Sequence, residues 1–175
     1  MSLAVLRSRA LAGMAAPAVN VEVHLANGLP AFTIVGLPDA EVREAKDRVR
    51  AALQNSGFTI PPRRITVNLA PADLPKESGR FDLPIALGIL AASQQIPDEA
   101  LARYEFAGEL SLSGELRPIR GALAMSFAMR RESEDQARAF ILPLANADEA
   151  ALVREDELFV TGIGVLRNTI GRKGA

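Results

Sequence analysis

Asn68-Leu-Ala-Pro-Ala-Asp-Leu-Pro-Lys-Glu-Ser-Gly-Arg-Phe-Asp-Leu-Pro-Ile-Ala-Leu-Gly-Ile-Leu90 is the stretch from which the fold can be read. Ile65, Val67 and Leu69 alternate with polar neighbours, which predicts a strand from Arg64 to Ala70 that runs into this stretch. Pro71, Pro75 and Gly79 then punctuate a loop, and a helix begins near Asp82 and Pro84. Asp82 is expected to cap the unpaired N–H groups of that helix. Pro84 falls in its first turn, where a missing N–H costs nothing. Leu83, Ile85, Ala86, Leu87, Ile89 and Leu90 make the helix apolar around most of its circumference, so it should lie centrally. A polar loop that ends on a helix N-terminus is a place where a fold can present a nucleophile or hold an anion.

Upstream, residues 2–12 fit a first strand, with a turn at Gly13 to Pro17. Val19, Val21, Val23 and Leu25 alternate with Asn20, Glu22 and His24, the period of a half-buried strand. Asn27-Gly28 is a hairpin signal, so Phe32 to Val35 is expected as a third strand antiparallel to the second. His24, on the polar phase, reads as a solvated strand residue. Gly36-Leu37-Pro38-Asp39 opens a helix that runs to about Asn55 and stops at Gly57. Val42, Ala45, Val49, Ala52 and Leu53 share one face of it. Arg43, Lys46 and Arg50 share another, with Asp47 among them, and Glu44 and Arg48 are spaced as an i,i+4 pair.

Downstream, Pro97 lies beyond the central helix, and Tyr104 to Leu112 followed by Glu115 to Ile119 reads as a hairpin turning at Ser113-Gly114. Gly121 to Arg131 is a helix and Ala139 to Leu142 a short strand. Asn146 to Val153 is a short helix capped by Asn146. Phe159 to Ile163 is a last strand and Val165 to Ile170 a closing turn of helix. Three strands, helix, strand, helix, hairpin, helix, strand, helix and strand give an α/β domain with a mixed sheet. At 175 residues with 49% hydrophobic content, one domain with a proper core is expected over residues 1–175.

Twenty Lys and Arg against 21 Asp and Glu leave a net charge of −1, so no whole-protein field draws in nucleic acid and any such contact must be local. The absence of cysteine excludes disulfides and thiolate metal sites. A single histidine, His24, leaves no second imidazole for a histidine-based metal site. The N-terminal apolar segment is short and follows Arg7 and Arg9, which reads poorly as a signal peptide. No apolar run reaches the roughly 18 residues that span a bilayer. A cytoplasmic protein without membrane contact is the expectation.

Three motifs carry a family resemblance: Phe32-Thr-Ile-Val-Gly-Leu-Pro-Asp39, Pro71 to Leu87 within the opening stretch, and Gly108-Glu-Leu-Ser-Leu-Ser-Gly-Glu-Leu-Arg-Pro-Ile-Arg-Gly121. From about Ser2 to about Gly171 the chain resembles the N-terminal domain of ComM/YifB proteins, the magnesium-chelatase-like AAA+ ATPases. The resemblance implies the ribosomal-protein-S5-domain-2-like fold shared with the Lon protease domain. Periodicity alone does not give that topology.

Lon-type peptidases pair a serine before the equivalent of the central helix with a lysine after the hairpin, a dyad that works because a desolvated lysine takes the serine proton. Aligning the motifs places Phe81 at the nucleophile position and Leu123 at the lysine position, so both groups are missing. Ser78 and Lys76 are two residues apart in a loop with no feature that would bury the lysine, and a solvated loop is expected there. No Gly-x4-Gly-Lys-Ser/Thr run occurs, and Gly162-Ile163-Gly164 reads as a turn. The chain is therefore expected to be a non-catalytic domain without a cofactor of its own. In the family, ATP and Mg belong to a motor domain that is absent from this chain, which stops at Gly171-Arg-Lys-Gly-Ala175. Metal insertion finds no ligand cluster in the sequence.

Binding remains. ComM-like proteins act as hexameric branch-migration motors on DNA taken up in natural transformation, and the recombination ATPase RadA carries a similar domain that helps form rings and contact DNA. By that analogy this domain should contact single-stranded or branched DNA, organise a homo-hexamer beside its motor, or only pack subunits without DNA affinity. The candidate DNA-binding residues are Lys76 and Arg80 flanking the loop, Arg43, Lys46 and Arg50 on their helix, Arg63 and Arg64 at a strand entrance, and Arg117 and Arg120 at the hairpin exit. The alternative for each is an ordinary solvated charge. With no Trp and one Tyr, stacking of bases on aromatic platforms is not expected.

Overall fold

The structure is a computed structural model and describes residues 2–132, 139–152 and 159–169. Its strands are β1 (Leu3–Arg9), β2 (Ala18–Ala26), β3 (Ala31–Val35), β4 (Arg64–Ala70), β5 (Tyr104–Phe106), β6 (Glu109–Leu110), β7 (Leu116–Arg117), β8 (Ala139–Pro143) and β9 (Phe159–Ile163). Its helices are α1 (Ala40–Arg43), α2 (Ala45–Asn55), α3 (Asp82–Ala92), α4 (Ala122–Glu132), α5 (Ala147–Ala150) and α6 (Leu166–Thr169). Seven strands form one mixed sheet in the order β3-β4-β2-β1-β5-β8-β9, and β6 and β7 form a separate small ribbon. The expected α/β class with a mixed sheet is what the structure shows.

Two expected pairings are corrected. The Asn27-Gly28 turn joins β2 to β3, but the two strands are not neighbours: β4 lies between them, antiparallel to β2 and parallel to β3. β4 offers β2 seven paired positions, Asn20↔Ala70 to Ala26↔Arg64, whereas the shorter β3 has five residues to pair. A strand buried on one face gains most from the longest matching partner. The predicted long hairpin from Tyr104 also divides. β5 joins the main sheet parallel to β1 and β8, and only β6 and β7 turn back on each other. At Gly108 the chain is captured by the start of α3, with Gly108 N–H donating to the Arg80 carbonyl at 2.9 Å and Leu83 N–H donating to the Gly108 carbonyl at 3.0 Å.

Side chains sort onto the two faces of the sheet by the period of two. Leu6, Val21, Val23, Leu25, Ile65, Val67 and Leu69 point into one core, covered by α2 and α3. Phe140 and Leu142 of β8 point the other way, into a second core with Met125 and Met129 of α4 and Ala150 of α5. All eleven residues of α3 are buried, as its apolar circumference predicts. Gly88 allows the closest approach to the sheet, since a Cβ there would meet Val23 Cγ2 at 2.5 Å. Gly36, at φ +105, lets the β3–α1 connection cross β4, where a side chain would strike the Leu69 carbonyl oxygen at 2.2 Å. On the opposite face of the β1–β4 half of the sheet Val5, Arg7, Asn20, His24, Thr33 and Arg64 are exposed. His24 is thus the solvated strand residue that its phase predicts.

Local boundaries shift in smaller ways. The helix expected from Asp39 to Asn55 is interrupted at Glu44, and Asp39 caps its first piece by accepting from Val42 N–H at 2.8 Å. Gly162 and Ile163 end β9, and only Gly164 lies in the bend that follows. Val153, Ile170 and the Gly171–Ala175 segment fall outside the described residues.

Candidate functional site

The loop from Pro71 to Phe81 and the first turn of α3 do not form a solvated basic surface. The Lys76 side chain is 0% exposed, and its ammonium group donates to the Pro71 carbonyl within the same loop. Burial lowers its pKa, with Asp73 pulling weakly the other way. The Lys76 backbone is fixed as well, pairing with the β3–α1 connection through Asp39 N–H to Lys76 O at 3.0 Å and Lys76 N–H to Leu37 O at 3.2 Å. The sequence reading that nothing would bury this lysine is corrected. A chain that must make these backbone bonds closes the loop over its own side chain.

Arg80 is also interior, at 3% exposure. Its guanidinium donates to the Arg120 carbonyl at 3.0 Å and to Ser78 Oγ at 3.1 Å, and lies against the Met125 sulfur at 3.5 Å. Burial lowers its pKa from the ordinary arginine value. Arg80 therefore ties the α3 entrance to the start of α4. Ser78 is occupied by Arg80 and Lys76 by Pro71, so no hydrogen bond joins the two as a dyad. Phe81 is buried and Leu123 half-buried, each with a hydrocarbon side chain where the resemblance looked for a nucleophile and a base.

Asp82 does not cap α3 with its side chain. It is 0% exposed and accepts from Arg48 Nε at 2.7 Å, from Arg48 Nη2 at 3.1 Å and from Leu110 N–H at 3.0 Å. Burial raises its pKa to about 6 against the opposing pull of Arg48 and Leu110. For Arg48 the pull of Asp82 and its acidic neighbours outweighs burial, and the pKa rises. The carboxylate joins α2, α3 and β6 at one point. The sequence placed Arg48 with Glu44, and that contact exists at 3.5 Å, but the stronger bond to Asp82 spans 34 residues and leaves no local signal. Asn146 is another buried linker instead of a cap: it donates to the Ile119 carbonyl at 2.9 Å and accepts from Ile119 N–H at 2.8 Å. Arg9, also missed, is 2% exposed and forms ion pairs with Glu105 at 2.8 Å and Glu132 at 2.9 Å. No short-range pattern marks it.

The other candidates separate by exposure. Arg43, Arg50, Arg64, Arg117 and Arg120 are exposed and Lys46 half-buried. Among the described residues none of these six forms an ion pair. Arg43, Lys46 and Arg50 run along α1 and α2, and the Arg50 guanidinium lies 6.0 Å from the centre of the Phe32 ring on β3. Arg64 starts β4 beside Ala31, its stem crossing the Gly28 turn. Arg63 is half-buried and donates within the fold, to Ser2 Oγ at 3.2 Å and the Leu25 carbonyl at 3.4 Å. The structure thus brings Arg50 and Arg64 to β3, leaves Arg43 and Lys46 along α1 and α2, and takes Lys76 and Arg80 out of the exposed set. Among the described residues no three His, Asp or Glu side chains converge to hold a metal ion, and no helix is long and apolar enough to cross a membrane.

The family model for subunit ChlI of Mg-chelatase matches residues 21–146, a span that contains α3, the Asp82 junction and the β3 edge. The chain belongs to this family. Within it, the chain is 53% identical over 91% of its length to competence protein ComM of Haemophilus influenzae, and 48% identical over 91% to protein YifB of Salmonella typhimurium. Protein YifB of Escherichia coli is 49% identical over 87% of the chain. The chain spans about 30% of the length of these relatives. These matches make it a ComM/YifB-family domain, related to a competence protein.

Proposed function

We propose that this chain is a non-catalytic, Lon-like domain of a ComM-type DNA branch-migration helicase that acts in natural transformation and recombination. In this reading it contacts DNA and helps to organise a cytoplasmic hexamer, while ATP and Mg are handled by an AAA+ motor domain in the remaining length of such proteins. The observation that carries the DNA contact is the row Arg43, Lys46 and Arg50, presented without an ion-pair partner among the described residues. Cations that are neither buried nor neutralised are the ones able to replace the counterions of a phosphate backbone. The test is anisotropy of labelled single-stranded and branched DNA with the wild-type chain and an R43A/K46A/R50A variant, at several salt concentrations. Affinity that falls steeply with salt in the wild type, and a shallower slope in the variant, support the reading. Equal affinities, or no binding at any salt, remove the DNA contact.

A second reading, a subunit-packing domain without DNA affinity, is favoured by one specific feature. A cleft of about 700 Å³ opens between the β1–β2 turn and α4, lined by Leu11, Met14, Pro17, Leu123 and Phe127. Met14 is 93% exposed and Phe127 51%, an unusual display for side chains of this size. Sedimentation of the F127E variant beside the wild type tests it: concentration-dependent association that the substitution abolishes favours packing.

A further inference from the structure

Strand β3 is an open edge of the main sheet. It pairs only with β4 among the described residues, and its sequence Ala31-Phe-Thr-Ile-Val35 contains no charge, proline or bulge of the kind that normally blunts such an edge. Ala31 N–H bonds toward β4, to the Arg63 carbonyl at 3.4 Å. Because successive residues of a strand turn their backbone groups to opposite sides, Ala31, Thr33 and Val35 face β4 while the N–H and C=O groups of Phe32 and Ile34 face outward. The edge therefore offers donors and acceptors in alternation.

A cation lies on each face of the sheet near this edge, Arg50 at β3 and Arg64 on the adjacent β4. Ala31 and Arg64 are register partners and both belong to the exposed face of the sheet. Phe32 belongs to the helix-covered face, where Arg50 stands over its ring. Arg50 thus stands at the edge on the helix-covered face, and Arg64 begins the neighbouring strand on the exposed face, one strand inboard of it. We propose that β3 is a docking edge for an extended acidic polypeptide segment of a partner protein, which adds as a strand and places carboxylates from two consecutive residues on Arg50 and Arg64. Consecutive side chains of an added strand point to opposite faces, so two adjacent acidic residues reach both cations. A polyphosphate backbone fits this edge less well, because it cannot use the outward carbonyls of Phe32 and Ile34 and would face their negative ends. The inference goes beyond the DNA reading and shares with the Arg43, Lys46 and Arg50 row only Arg50.

The experiment titrates the 15N-labelled chain with a synthetic hexapeptide, acetyl-Val-Glu-Glu-Val-Thr-Val-amide, and follows amide exchange residue by residue. The expected result is new protection at Phe32 and Ile34, unchanged protection at Thr33, and an affinity reduced about tenfold by R50E or R64E. A peptide with proline at its fourth position should not bind, and one with lysines in place of the glutamates should bind the R50E/R64E double variant instead of the wild type. Thermal melts of both variants confirm that they fold. Failure to bind at millimolar peptide, binding without protection at Phe32 and Ile34, or equal protection by oligothymidylate would overturn the proposal. An R43A/K46A variant separates the two readings, since it should weaken DNA binding and leave peptide binding unchanged.

Discussion

Two basic regions of this molecule look alike in sequence and differ in kind once folded. Lys76 and Arg80 lie in a proline-framed loop ahead of a helix, and Arg43, Lys46 and Arg50 lie on the surface of one. The first pair is interior, each cation spent on carbonyl or hydroxyl oxygens. The second set reaches solvent and holds no ion pair among the described residues. The difference teaches that a cation near a helix N-terminus is as readily a strut as a ligand-binding group, and that the carbonyls around it decide which. Buried, such a group is costly unless bonded, and once bonded it fixes the loop. Exposed, it adds almost nothing to stability and is available for binding.

The largest effect that can break this contrast lies at the Asp82 junction. R48A leaves the Asp82 carboxylate buried with only Leu110 N–H for company. Breaking one side of a buried pair costs about 3–5 kcal/mol, and urea denaturation of R48A should show a loss of that order. A loss below about 1 kcal/mol would mean that the interior charges are as dispensable as the exterior ones.

The pH dependence follows from the same carboxylate. Asp82 titrates at about 6 in the folded chain, above the ordinary value of about 3.9 for an unfolded aspartate. The folded state therefore binds the proton more tightly. The associated stability is fully present below about pH 4 and is lost as pH rises through 6, on the order of 2–3 kcal/mol in all. The difference between unfolding free energies of wild type and D82N, followed from pH 3.5 to 7.5, should change in that direction and level off above about pH 7. A difference that grows with the opposite sign would show that Arg48 and Leu110 hold the carboxylate ionised more strongly than burial resists it.

Much of the fold was legible because it rests on short-range pattern. The alternation in Val19 to Leu25 and in Ile65 to Leu69 gave both central strands with the correct inward residues, and the apolar circumference of Leu83 to Leu90 gave the buried helix. Strand neighbours were less legible. Asn27-Gly28 marks a turn, but nothing near it tells that β4 takes the place beside β2. The candidate site divides in the same way. Exposure of Arg43 and Arg50 follows from helical spacing, whereas Asp82 is claimed by Arg48, 34 residues away, and Arg80 by a carbonyl 40 residues away. A residue's local signature names its capability. Its long-range partners decide its employment, and those are set only when the sheet closes.

A smaller effect is expected at Arg80, where the comparison can be sharpened. R80L removes the bonds to Ser78 and to the Arg120 carbonyl but keeps an apolar side chain beside Met125. Trading a bonded buried cation for hydrocarbon removes the desolvation cost together with the bonds, so a loss of about 1–2 kcal/mol is expected, most of it from the unpaired carbonyl. DNA affinity measured well below the melting temperature should not change. Weaker DNA binding by folded R80L, with its salt slope reduced, would show that the guanidinium leaves the interior to meet phosphate.

The smallest stability effect belongs to the exposed row. R43A/K46A/R50A removes three charges and the contact between Arg50 and the Phe32 ring, and should move the unfolding free energy by about 0.5–1 kcal/mol at most. On binding, the order reverses. If each of the three replaces a condensed counterion, the slope of log affinity against log salt should become shallower by about 2–3 on DNA, and the loss should be nearly the same for every sequence tried. Proton and salt sensitivity would then be divided between the two regions, the buried one governing how stability depends on pH and the exposed one how binding depends on salt. A variant of the exposed row that lost stability while keeping its salt slope would erase the distinction, because the exposed cations would then be struts like Arg80.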